Sequence, residues 1–165
     1  GSRCSVLGAM ISADDLCQTV DTWRNHTVKR LLGIGLLFLS IAFSTQASEP
    51  EVIEKARAAT VAWLDLTDTG QYETSWDSAS ALFKGAISKE DWERSLSAAR
   101  KPIGALKTRE TATAEFSTTL PGAPDGEYVV FRFNSSFERK AEAIETVTAK
   151  KDADGIWRVA GYFIR

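Results

Sequence analysis

The stretch Glu127-Tyr128-Val129-Val130-Phe131-Arg132-Phe133-Asn134-Ser135-Ser136-Phe137 decides the fold. Its side chains alternate with a period of two, placing Val129, Phe131 and Phe133 on one face and Tyr128, Val130 and Arg132 on the other, as a β-strand requires. On its N-terminal side Glu110 to Phe116 alternates weakly, and the segment between them, Leu120-Pro121-Gly122-Ala123-Pro124-Asp125-Gly126, is dense in turn formers and reads as a hairpin loop. On its C-terminal side Ala141 to Lys151 and Ile156 to Ile164 predict two more strands, joined by Asp152-Ala153-Asp154-Gly155. That tetrapeptide also resembles the start of a calcium loop, but the later ligands of such a loop are missing, so the turn reading stands.

Before Gly104 the period is 3.6 rather than 2. Glu51 to Thr67 predicts a helix, because Val52, Ala56, Ala59, Trp63 and Leu66 recur at steps of three and four, and Gly70 ends it. Gln71 to Phe83 predicts a second helix with Tyr72, Trp76, Ala79 and Phe83 along one stripe, stopped at Lys84-Gly85. The third begins at Ser88, an N-cap with Asp91 at the N3 position and Ile87 and Trp92 in the two places of a hydrophobic staple. Trp92, Leu96, Ala99 and Ile103 share its face, and Pro102 and Gly104 close it. The expected class is α+β: three N-terminal helices, then a four-stranded antiparallel curved sheet with the helices on one of its faces.

A chain of 165 residues holds one ordinary domain plus a tail. Its 44% hydrophobic and 25% charged residues are globular values that fit neither a wholly disordered chain nor a multi-span membrane protein. A net charge of -2 lacks the basic excess of a nucleic-acid binder driven by bulk charge. Both cysteines (Cys4, Cys17), the single histidine (His26) and the single methionine (Met10) lie near the N-terminus. After them come the basic Val28-Lys29-Arg30, an uncharged run from Leu31 to Phe43, and Ser44-Thr45-Gln46-Ala47 with small residues where a signal peptidase reads. The run is shorter than the roughly 20 apolar residues of a comfortable membrane span. The expected organisation is therefore a tag or other non-native extension without fixed structure over residues 1–27, a signal peptide over 28–47 cleaved after Ala47, and a single α+β domain over 48–165. Such an address implies a periplasmic or secreted protein with no membrane attachment once the signal is removed.

Three stretches together carry a family resemblance: Ala62-Trp63-Leu64-Asp65 with Gly70-Gln71-Tyr72 and Ser75-Trp76; Trp92 with Arg100, Pro102, Ile103 and Gly104; and Leu120 to Tyr128 with Glu145 and Gly155-Ile156-Trp157-Arg158-Val159-Ala160-Gly161-Tyr162. On these the chain resembles the bacterial family catalogued as domain of unknown function 4019, whose members are small and mostly exported. The resemblance spans about the whole region after residue 47 and implies no activity, ligand or catalytic residue. The helices-then-sheet order is also similar to the nuclear transport factor 2-like superfamily, which implies a curved sheet wrapped around a helix as a cone with a pocket. That superfamily holds isomerases, dehydratases, cyclases and binding modules, so fold alone does not decide function.

Without His or Cys after residue 47, a Ser-His-Asp triad, a Cys-His pair and a histidine-rich zinc site are excluded from that region. No cofactor and no metal site is expected. Carboxylates remain as acid/base candidates, since burial in an apolar pocket raises a carboxyl pKa. Glu145 stands out, mid-strand, between Ile144 and Thr146. If the Ala143, Glu145, Val147 face turns inward, Glu145 is expected near Tyr162 or Arg132; the plainer alternative is an exposed or salt-bridged carboxylate. Asp65 and Asp77 are read as solvated helix positions. Arg100 is expected to offset the C-terminal partial charge of its helix, with anion binding as the alternative. Trp63, Trp76, Trp92 and Trp157 line either an aromatic ligand site or, as their spacing favours, the core. The candidate pocket residues are thus Trp63, Trp76, Arg132, Glu145 and Tyr162. The leading expectation is a binding or protein-interaction module whose partner is a small apolar ligand or another protein. The alternative is a cofactor-free isomerase or dehydratase acting on a small apolar substrate through Glu145, with Tyr162 or Arg132 stabilising developing charge. A homodimer through the open face of the sheet is a third arrangement.

Overall fold

The computed structural model describes residues 48–165, so the expected extension over 1–27 and signal peptide over 28–47 lie outside the described residues. Four helices precede four strands: α1 (Glu49–Asp68), α2 (Tyr72–Asp77), α3 (Ala81–Ala86), α4 (Lys89–Arg100), β1 (Leu106–Ser117), β2 (Tyr128–Phe137), β3 (Lys140–Lys151) and β4 (Trp157–Ile164). The strands pair antiparallel in the order β1-β2-β3-β4 as a single curved sheet, the meander that the two turn segments imply. None of these helices is long and apolar enough to cross a membrane.

The first helix starts with Pro50 in its first turn beside Glu49 and Glu51, where proline lacks no bonded N–H and acidic charge suits the positive end of the helix. It ends on Gly70, whose φ of 76° is left-handed. The N–H of Gly70 donates to the Thr67 carbonyl and that of Gln71 to the Leu66 carbonyl, so two terminal carbonyls are satisfied. Its buried stripe is Ala56, Thr60, Trp63, Leu64 and Thr67, which includes two threonines that a purely apolar pattern passes over.

The structure corrects the expected count of three helices. The predicted second helix is two short ones, broken at Ser78-Ala79-Ser80. Ser80 is extended (φ -65°, ψ 160°); its N–H donates 2.9 Å to the Val159 carbonyl on β4, and its Oγ accepts from the Phe83 N–H to cap α3. Continuing the helix would forfeit the bond to the sheet, so a tertiary contact overrides the local periodicity. The final helix matches expectation: Ser88 Oγ accepts from the Asp91 N–H at 3.1 Å.

One face of the sheet receives the helices. On β2 it carries Val129, Phe131, Phe133 and Ser135, on β3 Ala143, Glu145, Val147 and Ala149, and on β4 Trp157, Val159 and Tyr162, all buried. These pack with Trp63, Leu64, Phe83, Trp92 and Leu96 in a continuous core. Two β-bulges decide which residues join it. On β4, Val159 opposes Ala149 while Gly161 opposes Thr148, so Ala160 is the extra residue and Tyr162 faces inward opposite Val147. On β1, Thr111 opposes Phe133 and Thr113 opposes Arg132, so Ala112 is extra and both Arg109 and Phe116 reach the inner face. Strict alternation would have turned one of each such pair outward.

Candidate functional site

Glu145 sits in the middle of β3 with 0% of its surface exposed. The face that carries Ala143, Glu145 and Val147 does turn inward, and the environment there is charged rather than apolar. Glu145 Oε1 accepts from Tyr162 OH at 2.6 Å, from Arg109 Nη2 at 3.0 Å and from Arg100 Nη1 at 3.4 Å. Its Oε2 accepts from Arg109 Nε at 2.7 Å and from Ser135 Oγ at 2.5 Å. Five donors therefore converge on one carboxylate, which offers about four lone-pair sites.

The two arginines are neutralised a second time by Asp68, the last residue of α1. Arg109 Nη1 and Nη2 donate to Asp68 Oδ2 and Oδ1 at 2.6 Å and 3.0 Å, a two-pronged pair, and Arg100 Nη2 donates to Asp68 Oδ1. Arg100, 5% exposed, also lies over the Phe137 ring with its guanidinium carbon 4.7 Å from the centroid, and donates to Tyr162 OH at 3.4 Å. The cluster contains two guanidiniums and two carboxylates, so charge balances inside it. Burial opposes the charge on Arg109, but the hydrogen bonds and attraction of Asp68 and Glu145 outweigh it and raise its pKa. Burial, then the negative charge of Glu145, pushes the Tyr162 phenol well above its ordinary value of about 10. Tyr162 is thus a neutral donor to an anionic acceptor.

Of the expected pocket residues, the structure brings Glu145 and Tyr162 together. It does not bring Arg132, which lies on the opposite face of the sheet between Thr113 and Thr146. Trp63 packs against Tyr162, with ring centroids 5.5 Å apart, and is core; its Nε1 donates to the Ser75 carbonyl at 2.7 Å. Trp76 is half-buried on α2, where its Nε1 donates to the Ile87 carbonyl and the Lys84 and Lys89 ammonium groups approach its ring. Trp92 and Trp157 are buried with the core. Asp77 pairs with Lys89 on the surface, and Asp65 is exposed. Arg100 is more than a helix-end cation, because it is buried and salt-bridged to both carboxylates.

Asp68, Arg109 and Ser135 escaped the sequence reading. Asp68 ends a helix and looks solvated, and Arg109 lies in a strand of weak alternation whose bulge hides its inward direction. The clearest signal was Ser135, in phase with Val129, Phe131 and Phe133: a hydroxyl on an otherwise apolar face implies a buried polar partner. Among the described residues no group of three or more His, Cys, Asp or Glu side chains is placed to hold a metal ion.

Residues 59–162 match the family described as Protein of unknown function (DUF4019). The chain belongs to this family. The matched span begins on α1 and ends on Tyr162, so it takes in every member of the cluster. No curated protein and no solved structure matches the chain.

Removing one partner from a buried charge cluster costs about 3–5 kcal/mol, because the others stay desolvated and uncompensated. Glu145→Gln is therefore expected to lose about that much in urea denaturation, with the slope unchanged; a loss under about 1 kcal/mol, the scale of an exposed ion pair, rejects the buried cluster. Tyr162 gives an alkaline signature. The unfolded phenol ionises above about pH 10 while the folded one stays neutral, so the stability it confers is complete below pH 10 and is lost as pH rises beyond it. Tyr162→Phe should flatten the fall of stability above pH 10, leaving the smaller contribution of Tyr128, whose pKa burial also raises. An unchanged alkaline slope contradicts the assignment.

Proposed function

We infer that this member of the DUF4019 family is an exported binding or protein-interaction module rather than an enzyme, built as a nuclear transport factor 2-like cone with a filled interior. The observation that carries the reading is the saturation of Glu145. A general acid or base must present an oxygen or a proton to substrate within hydrogen-bond reach, whereas both Glu145 oxygens are occupied by protein donors and the side chain has no exposed surface. Catalysis on a small apolar substrate requires Glu145 to shed two arginines, a tyrosine and a serine, each a charge-assisted bond in a water-poor setting. Two of the four tryptophans read as candidates for an aromatic site are taken up by the core: Trp63, Trp92, Phe83 and Tyr162 form a set of edge and tilted ring pairs with centroids 4.9–6.3 Å apart. Support for the cone comes from the order of elements and from the helices covering one face of a curved sheet. Support for export comes from the basic, apolar and small-residue segments over 28–47.

Two measurements test this. Incubated in deuterium oxide with small apolar ketones and steroid enones, the full chain is expected to give no α-proton exchange above buffer by NMR; catalysed exchange that vanishes in Glu145→Gln overturns the non-catalytic reading. Produced from Val28 onward in a Gram-negative host, the periplasmic protein is expected to begin at Ser48 by N-terminal sequencing, and a retained leader overturns the export reading.

A further inference from the structure

The outer face of the sheet holds a groove of about 640 Å³ at the end where β2 turns into β3, a size within the roughly 300–1,000 Å³ of small-molecule sites. Asn134 and Ile144 form its floor, and its charged residues are Glu110 of β1, Lys140 and Glu142 of β3, and Arg165 just past β4. None of these four makes an ion pair among the described residues, whereas on the inner face every guanidinium and carboxylate has its counter-charge in the cluster. Arg165 continues the ladder, exchanging both backbone bonds with Ile144. One row across the groove therefore runs Glu110, Asn134, Ile144, Arg165, with the acid at one edge of the sheet and the base at the other. Lys140 and Glu142 stand two residues apart on the same side of β3, so that flank is neutral as a pair. The next row crosses Arg132 and ends at Phe163, which is 45% exposed. Glu115 and Lys150, also without ion pairs, lie farther along the same face, outside the groove.

We propose that this groove binds a short zwitterionic peptide, about three residues long, lying across the strands with its amino end at Glu110 and its carboxyl end at Arg165. Charge complementarity selects the ligand. An anion alone meets the carboxylates of Glu110 and Glu142, a cation alone meets Arg165 and Lys140, and an apolar molecule strips water from all four without replacing it. A molecule with one charge of each sign at opposite ends matches the polarity of the row. Length follows from the ladder. Glu110 and Arg165 are three strand spacings apart, about 14 Å at roughly 4.8 Å each. An extended tripeptide spans about 10 Å, and the two long side chains lean inward to close the remainder. The Asn134 amide lies under the middle of the peptide, where it can donate to one peptide group and accept from another. Ile144 and the exposed ring of Phe163, two residues before Arg165, offer an apolar strip for the central side chain. The proposal rests on the binding-module reading and names its ligand. Its failure is separable from the failure of that reading, because absent peptide binding strikes the groove alone and proton exchange dependent on Glu145 strikes only the non-catalytic reading.

Titration of the isotope-labelled full chain with the tripeptide Ala-Leu-Ala, followed by NMR, is expected to shift the amides of Asn134, Ile144 and Arg165 with a millimolar dissociation constant. Acetylating the amino end of the peptide, or amidating its carboxyl end, should each weaken binding about three- to fivefold, the scale of one exposed ion pair. In Glu110→Gln the free and acetylated peptides should bind alike, and in Arg165→Gln the acid and the amide should bind alike, since each substitution removes the charge that tells them apart. Glu115→Gln, on the same face but outside the groove, should keep both distinctions. Glu110 and Arg165 are exposed, so circular dichroism should be unchanged in both variants. Absence of shifts at millimolar peptide overturns the proposal, as do shifts confined to other parts of the chain. So does binding indifferent to the capping of either end, and so do distinctions that survive in Glu110→Gln and Arg165→Gln.

Discussion

A carboxylate without solvent exposure in the middle of a sheet is a constraint that the rest of this structure must meet. Water cannot solvate Glu145, and an isolated buried charge is costly by many kcal/mol. Its partners come from four other elements: Arg100 at the end of α4, Arg109 on β1, Ser135 on β2 and Tyr162 on β4. Asp68, at the end of α1, then balances the two arginines. Both long helices thus terminate over the same point of the sheet, and their directions across the inner face are pinned by polar geometry as well as by apolar contact. Apolar packing alone tolerates small sliding of a helix over a sheet; paired hydrogen bonds at 2.6–3.0 Å do not.

The cluster in turn depends on irregularities in the strands. A regular β4 would point Gly161 at Val147 and turn Tyr162 out. The extra residue at Ala160 reverses that, and the one at Ala112 lets Arg109 and Phe116 share the inner face. Bulges therefore allow a single sheet to present a charged cluster at one end of its inner face and aromatic packing along the rest, and they also break up the exposed β1 edge.

The aromatic core shows the same economy. Trp63 donates to the Ser75 carbonyl and Trp92 to the Ser75 hydroxyl, which itself donates to the Tyr72 carbonyl. One serine at the foot of α2 satisfies two buried indoles, so these rings fill the interior without orphaned N–H groups. Here the sequence was a good guide to content and a poor one to arrangement. The spacing of Trp63, Trp76 and Trp92 marks helices with an apolar face. That Trp63 and Trp92 meet Tyr162, while Trp76 stays at the rim under two lysines, follows from the packing of α1 and α4 on the sheet. Glu145 was conspicuous because a carboxylate interrupts a face shared with Ala143 and Val147. Asp68 and Arg109 were not, because a charge at a helix end or on an edge strand ordinarily points to water.

The four strands and their turns, the glycine stop of α1, the N-cap of α4, the absence of thiol and imidazole side chains after residue 47 and the family were all legible in the sequence alone. Each is a local property, fixed by a period of 2 or 3.6, by turn and capping residues within a few positions, or by composition. Only the tertiary packing set where the second predicted helix breaks, which faces β1 and β4 present, and that four charged and hydroxyl side chains from distant segments meet on Glu145. Those outcomes depend on bonds between residues far apart in the chain. Ser80 to Val159, or Arg109 to Glu145, leaves no periodic trace in either segment, and a bulge of one residue inverts the facing of everything beyond it.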